Sequence, residues 1–116
     1  MDLKHGIVEE LASEAIRLGA NALDIDYKDG YEEVYAMTGT TDFGSGFGIA
    51  MIPSSSPEAV SLRSELRGIA RKRRSIPIGD GSYELRCRVF ESFGEDAFRV
   101  EIRPAKARIG RKSASH

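Results

Sequence analysis

The sequence predicts an α+β fold in which two helices pack on a mainly antiparallel sheet of five strands, in the order α-β-β-β-α-β-β. Three observations carry this prediction. The hydrophobic period changes from about 3.6 residues to about 2 at Ala22, so a helix gives way to a strand. Lys28-Asp29-Gly30 has the composition of a hairpin turn, which makes the first two strands antiparallel. A second helical pattern begins at Pro57 and is followed by two more alternating segments.

The first helix is predicted over about residues 3–18. Apolar residues recur there at steps of three and four, which places them on one stripe of the helix: Leu3, Ile7, Val8, Leu11, Ala15 and Leu18. Gly19 supplies the type of residue that commonly ends a helix. In the strand that follows, Leu23, Ile25 and Tyr27 are predicted to face inward.

The second strand is predicted over residues 32–38, and an apolar segment over residues 47–52 predicts a third, more buried strand that ends at Pro53. Ser56 is the predicted N-cap of the second helix, and Pro57 suits its first position. That helix has an apolar face formed by Ala59, Leu62, Leu66, Ile69 and Ala70.

Gly79-Asp80-Gly81 predicts the next turn, and two closing strands follow over residues 83–89 and 98–102. After Pro104 the apolar residues become sparse, and four bases appear without an acid. At 116 residues the chain has room for one core. We therefore expect a single domain over residues 1–104 and a disordered basic tail over residues 105–116.

The composition is typical of globular proteins, with 41% hydrophobic and 30% charged residues. The longest apolar runs fall well short of the roughly 20 residues that a membrane span needs, and the N-terminus lacks the order of a signal peptide. A single cysteine excludes an internal disulfide and fits a reducing compartment. We expect a cytoplasmic protein with no membrane span.

The charges divide unevenly along the chain. Residues 1–42 carry ten acidic and three basic residues, whereas residues 43–116 carry eight acidic and fourteen basic residues. Such asymmetry is typical of a surface for nucleic acid or an acidic partner, but it also holds parts of one domain together or pairs subunits head to tail. The overall charge of −1 favours the second group of uses over a dedicated nucleic-acid binder.

The densest basic stretch follows the second helical pattern. The candidate partner or phosphate contacts are Arg63, Arg67, Arg71, Lys72, Arg73 and Arg74. Clustered bases neutralise phosphates, yet cations near a helix C-terminus also interact favourably with the helix dipole. No aromatic residue is interleaved with this run, so solvated or protein-pairing charges are favoured over nucleic-acid contacts.

No residue pattern indicates an enzyme, a cofactor or a metal. The glycine-rich residues 43–48 precede a strand, where a dinucleotide fingerprint precedes a helix, so a flexible connection is favoured. Asp24 and Asp26 alternate along a strand without a further ligand set, which favours solvated charge. Cys87 alternates inward and is predicted to be a small core residue. The two histidines lie near opposite ends of the sequence, so no catalytic constellation is indicated.

The junction of the first helix and first strand resembles part of a known domain. Residues 19–26 read Gly-Ala-Asn-Ala-Leu-Asp-Ile-Asp, which is similar to the Gly-Ala-Ser-Asp-Ile-His-Ile-Glu in the N-terminal, pre-motor domain of type II secretion and type IV pilus ATPases. Asp29-Gly30, and later Arg73-Arg74, Pro77 and Asp80-Gly81, look like counterparts of further motifs in that domain. The resemblance covers about residues 4–104 and implies the same element order.

Departures from that family limit what the resemblance implies about function. The arginines of the family's second strand, some of which approach the motor's nucleotide, correspond to Val34 and Ala36, and no Walker A loop is present. We expect a non-catalytic protein-interaction or regulatory domain, accessory to a secretion or pilus-type ATPase assembly or self-associating. The alternative is a sequence-nonspecific nucleic-acid-binding accessory protein that uses residues 71–74 and the basic tail.

Overall fold

The computed structural model describes residues 6–39, 45–92 and 94–105. Within them the chain forms two helices and six strands. In chain order these are α1 (Ile7–Arg17), β1 (Ala22–Lys28), β2 (Tyr31–Thr38), β3 (Ser45–Pro53), α2 (Pro57–Arg71), β4 (Arg74–Ile78), β5 (Gly81–Ser92) and β6 (Glu95–Pro104). The predicted basic tail from residue 106 onward, and residues 40–44 of the predicted flexible connection, lie outside the described residues.

All six strands form one antiparallel sheet in the order β3-β2-β1-β6-β5-β4. The sheet consists of two three-stranded meanders, joined where β1 pairs with β6. At this junction Ile25 of β1 lies between Val34 of β2 and Phe98 of β6. The α+β class and the antiparallel sheet are therefore confirmed.

The helices cover one face of the sheet, and the core lies between them. In the middle of the central strands every second residue is buried there, as the alternation predicts. The largest fully buried side chains are Phe98, Leu23, Ile25, Leu62, Leu66, Ile69, Leu85, Val8, Val34 and Val100. Each contributes about 1.5–3 kcal/mol through removal of apolar surface from water. This single cluster draws on both helices and on both meanders.

The number of strands differs from the prediction, because the sequence indicated five strands and the structure has six. The additional strand, β4, follows directly after the second helix and pairs with β5 from Arg74 opposite Leu85 to Ile78 opposite Gly81. Pro77 and the adjoining basic run concealed its short alternation of Ile76 and Ile78. Proline is tolerated here because β4 is an edge strand, where one N–H per pair of residues needs no partner.

Three other expectations need correction. The third strand is not more buried: β3 is the opposite edge of the sheet, and its Met51 is 60% exposed. Tyr27 and Leu18 were predicted to face the core but are exposed, since each lies at the end of its element, beyond the cover of its neighbours. The first helix begins at Ile7, because Gly6 has the extended backbone of an N-cap.

Local signals at the turns and caps are confirmed. Asp29 and Gly30 have positive φ angles of 54° and 86°, as the predicted hairpin turn requires. Gly19 ends α1 with a φ of 83°. At the start of α2, the Ser56 hydroxyl accepts a hydrogen bond of 3.1 Å from the backbone N–H of Ala59. No helix in the described ranges is long and apolar enough to cross a membrane.

Candidate functional site

A cleft of about 440 Å³ lies where the end of α2 passes the middle of β5. Its lining residues are Ile69, Ala70, Arg71, Lys72, Arg73, Arg86, Cys87, Arg88 and Glu101. Five of these are cations: one from the last turn of α2, two from the α2–β4 connection and two from β5. We call this surface the basic cleft, and its cations are Arg71, Lys72, Arg73, Arg86 and Arg88.

The basic cleft exists because β4 starts late. The backbone leaves the helix at Lys72, which is extended with φ −153° and ψ 115°. Pairing with β5 begins only at Arg74, opposite Leu85. From Arg86 onward β5 therefore has β6 on one side and no strand of the described chain on the other. This exposes the edge of β5 beside the basic connection.

The cations of the basic cleft outnumber the carboxylates that neutralise them. Glu84 serves two of them, at 3.2 Å from Nε of Arg73 and 3.4 Å from Nε of Arg86. In the described part of the chain, Arg71, Lys72 and Arg88 make no ion pair. The cleft therefore carries an excess of positive charge that is available to an anionic group.

Arg88 is the cation least explained by the fold. It lies directly opposite Arg99 of β6, and like charges in that relation destabilise a strand pair. Arg99 is already bound to Asp24 by two hydrogen bonds of 2.6 and 2.7 Å, so Asp24 has little capacity left for a second cation. The helix dipole accounts for a cation such as Arg71 in the last turn of α2, but not for Arg88 on a strand.

Apolar side chains continue the exposed segment of β5 beyond the cations. Val89 is 44% exposed and Phe90 is 47% exposed. Register places Phe90 on the same face of β5 as Arg86 and Arg88, because side chains alternate along a strand. The surface therefore presents positive charge and an exposed aromatic ring side by side.

Arg63, one of the predicted contacts, lies away from the basic cleft and serves the fold. Its Nη1 donates a hydrogen bond of 2.7 Å to Glu32, which is 3% exposed. The Ser54 hydroxyl donates to the same carboxylate oxygen at 2.9 Å. A buried carboxylate needs such partners, so Arg63 holds β2, the β3–α2 connection and α2 together.

Arg67 is likewise engaged within the molecule. Its Nη2 donates to Asp96 at 2.7 Å, and its guanidinium lies 5.7 Å from the centroid of the Phe98 ring. Arg74, the first residue of β4, is exposed but does not line the basic cleft. The structure thus brings three of the six predicted residues together and separates the other three.

Two residues of the basic cleft, Arg86 and Arg88, were absent from the predicted set. They are far from residues 71–73 in sequence, and β4, the strand that holds the end of this run against β5, was not predicted. A signal was present, since Glu84, Arg86 and Arg88 alternate with apolar residues and thus share one face of a strand. That this face lies beside the end of α2 cannot be predicted without the order of the strands in the sheet.

Cys87 lies between these two arginines in sequence, and its partly buried side chain packs against the core at the inner side of the cleft. Burial raises the pKa of its thiol from 9.0 to about 11. Since the thiolate is the nucleophilic form, only a very small fraction of the thiol is in the reactive form at neutral pH despite its basic neighbours. Cys87 is therefore a packing residue, as its place in the alternation predicts. No cluster of three or more metal-binding side chains occurs within the described residues.

No family model matches the sequence. Comparison with curated proteins also finds no matching relative. The case for a function therefore rests on the physical character of the basic cleft.

Proposed function

We propose that this chain is a non-catalytic interaction domain that binds an acidic, partly apolar segment of a protein partner in the basic cleft. The observation that carries the proposal is the convergence of five cations on one cleft with too few carboxylates to neutralise them. Complementary charge of this kind steers a partner and orients it on binding.

Three features support a protein segment as the occupant. Val89 and Phe90 offer apolar contact next to the cations, and exposed aromatic residues are favoured at protein interfaces. Glu84 and Glu101 lie at the cleft and interrupt its positive charge, which a continuous phosphate backbone cannot avoid, whereas the separate carboxylates of a peptide can be placed beside the cations. The unpaired edge of β5 suits an extended segment, which adds to a sheet through its main chain.

The identity of the partner follows only from the resemblance described above. A domain similar to the pre-motor domain of secretion and pilus ATPases would associate with such a motor or with another copy of itself. Either partner must present an acidic segment to complement the charge of the basic cleft.

Charge reversal on β5 tests this proposal. The probe is a short fluorescein-labelled peptide in which glutamate alternates with leucine, titrated with the protein by fluorescence anisotropy. We expect R86E/R88E to weaken binding about tenfold or more, because both sides of the contact become acidic. R17E/K28E is the matched control: it changes the net charge equally at exposed positions outside the basic cleft and should leave the affinity unchanged. Equal weakening in both variants, or no binding by the native chain, would exclude the cleft as the binding site.

Nucleic acid is the second candidate occupant, favoured by one observation. Arg86, Arg88 and Phe90 alternate on one face of β5, and proteins that bind single strands combine cations with stacking aromatics. Labelled single-stranded DNA is therefore titrated alongside the peptide at about 50 and about 200 mM salt. DNA binding that is tighter than peptide binding, and that falls with a log-log salt slope of about three or more, would replace the protein proposal.

A further inference from the structure

A second cavity, of about 830 Å³, lies between α1 and the β4–β5 turn. Its character is opposite to that of the basic cleft. Acidic side chains of α1 and of the turn, including Glu10, Glu14 and Asp80, line it together with apolar groups such as Ile16, Ile78 and Tyr83. We call it the acidic groove.

The acidic groove carries negative charge that the described chain does not neutralise. Arg17 is the one base among its lining residues, and it is paired with Glu14. Glu10 and Asp80 make no side-chain contact with a charged or hydrogen-bonding partner in the described ranges. The groove thus fits a segment that is basic and partly apolar.

The chain itself supplies such a segment at the right place. The last pair of the sheet joins Pro104 to Tyr83, and the Ala105 N–H then donates to the Ser82 carbonyl at 2.8 Å. Tyr83 and Gly81, on either side of Ser82, both line the acidic groove. Residue 106 therefore follows a backbone position anchored beside the groove.

The sequence after that anchor matches the groove in chemistry. Residues 106–116 contain Lys106, Arg108, Arg111 and Lys112, no acid, and the apolar Ile109. Eleven residues reach on the order of 35 Å when extended, which is ample for a cavity that starts at the anchor. The segment therefore carries four cations within reach of a groove in which Glu10 and Asp80 are uncompensated.

We propose that the acidic groove binds residues 106–116 of the same chain. The cations of the segment pair with the carboxylates of the groove, and Ile109 contacts the apolar part near Ile78 and Tyr83. Ion pairs between exposed groups are individually weak, so the contact depends on several of them acting together and on the high effective concentration of a tethered segment. This inference concerns a different surface from the basic cleft and does not depend on the function proposed for that cleft.

Paramagnetic broadening in the full chain tests the proposal. A spin label is placed at position 115 through S115C in a C87A background, and ¹H–¹⁵N spectra are recorded. We expect strong broadening at the amides of Glu10, Glu14 and Asp80, and we expect E10K/E14K to remove most of it. The matched control E91K/E95K changes the charge equally at exposed positions of β5 and β6, away from the groove, and should leave the broadening unchanged. Melting curves of each variant confirm that it folds.

Two outcomes would overturn the proposal. Broadening that is spread over all amides near Ala105, and is unaffected by E10K/E14K, would show that the segment has no preferred site. Broadening that appears in a mixture of ¹⁵N-labelled unmodified chain and unlabelled spin-labelled chain would assign the groove to a second copy instead of the same chain.

Discussion

At the scale of single residues, the same side chain has different roles in different surroundings. Arg63 and Arg88 are both arginines on amphipathic elements, yet Arg63 neutralises a buried carboxylate and Arg88 faces another cation. The first arrangement lowers the free energy of the fold, because Glu32 is removed from water and needs a partner. The second raises it. A cation such as Arg88, which does not stabilise the fold, therefore indicates a surface that binds another molecule.

Removal of Arg63 is expected to destabilise the fold. R63A leaves the buried Glu32 with only the Ser54 hydroxyl, and we expect a loss of about 2 kcal/mol, reduced from that of a fully buried pair because the Arg63 side chain is 27% exposed. The free energy of unfolding in urea measures this. R67A is the comparison, since its ion pair with Asp96 is exposed and should cost about 1 kcal/mol or less. Equal losses in the two variants would contradict the assigned role of the buried pair.

The raised pKa of Cys87 makes a second prediction at this scale. With a pKa of about 11 in place of 9.0, the thiolate fraction at pH 8 falls about a hundredfold, and alkylation by iodoacetamide should slow accordingly. The rate should rise until the pH passes about 11. Since the folded pKa is the higher one, the associated stability is present below pH 9 and is lost as the pH rises toward 11. Alkylation at the rate of an unfolded control at pH 8 would show that the thiol is not shielded.

At the scale of elements, the two helices are joined by a cap that crosses between them. The backbone N–H groups of Ile7 and Val8 donate to the Glu65 carboxylate of α2 at 3.1 and 3.0 Å. A charged acceptor at the start of α1 satisfies two N–H groups that lack partners within the helix and interacts favourably with the dipole. Gly6 has no side chain, and this allows Glu65 to approach, since a Cβ there would clash with the Glu65 carboxylate.

Loss of this cap should weaken the docking of α1 on α2. We expect E65A to cost about 1–2 kcal/mol of unfolding free energy, because it removes an N-terminal cap. E58A is the matched comparison: it removes an acid from the first turn of α2 that acts through the dipole alone, and should cost about 0.5 kcal/mol. Urea titrations of both variants make the measurement. A smaller effect for E65A than for E58A would refute the crossing cap.

Several elements were predictable from the sequence because their signals are local. Asp29 and Gly30 form the hairpin turn because they adopt positive φ angles. At the start of α2, the Ser56 hydroxyl accepts a backbone hydrogen bond, and the ring of Pro57 holds φ near its helical value. β4 was missed because what permits Pro77 there is its place at the edge of the sheet. The prediction that β3 is more buried was wrong for a related reason. An apolar segment does not show by its sequence whether the strand lies at an edge of the sheet or in its centre.

At the scale of the whole molecule, the division of charge along the sequence becomes two separate surfaces. The acidic groove is built from α1 and the β4–β5 turn, and the basic cleft from the end of α2 and the middle of β5. Two copies could pair one surface with the other, but a C-terminal segment in the groove would compete with such pairing. Under the two proposals above, the charge asymmetry serves a partner at the basic cleft and the C-terminal segment at the acidic groove.

The sequence by itself determined the class of fold, the presence of two helices, the end of α1 at Gly19, the Ser56 cap of α2 and the first hairpin, because periodicity and turn chemistry act over a few residues. It also identified three of the five cations of the basic cleft, Arg71 to Arg73, as part of a continuous run. Tertiary structure alone decided that Arg63 and Arg67 are held within the fold, and that Arg86 and Arg88 join the run. The physical reason is that a surface combines residues from distant segments, and their distance in space depends on the order of strands in the sheet, which no local pattern encodes.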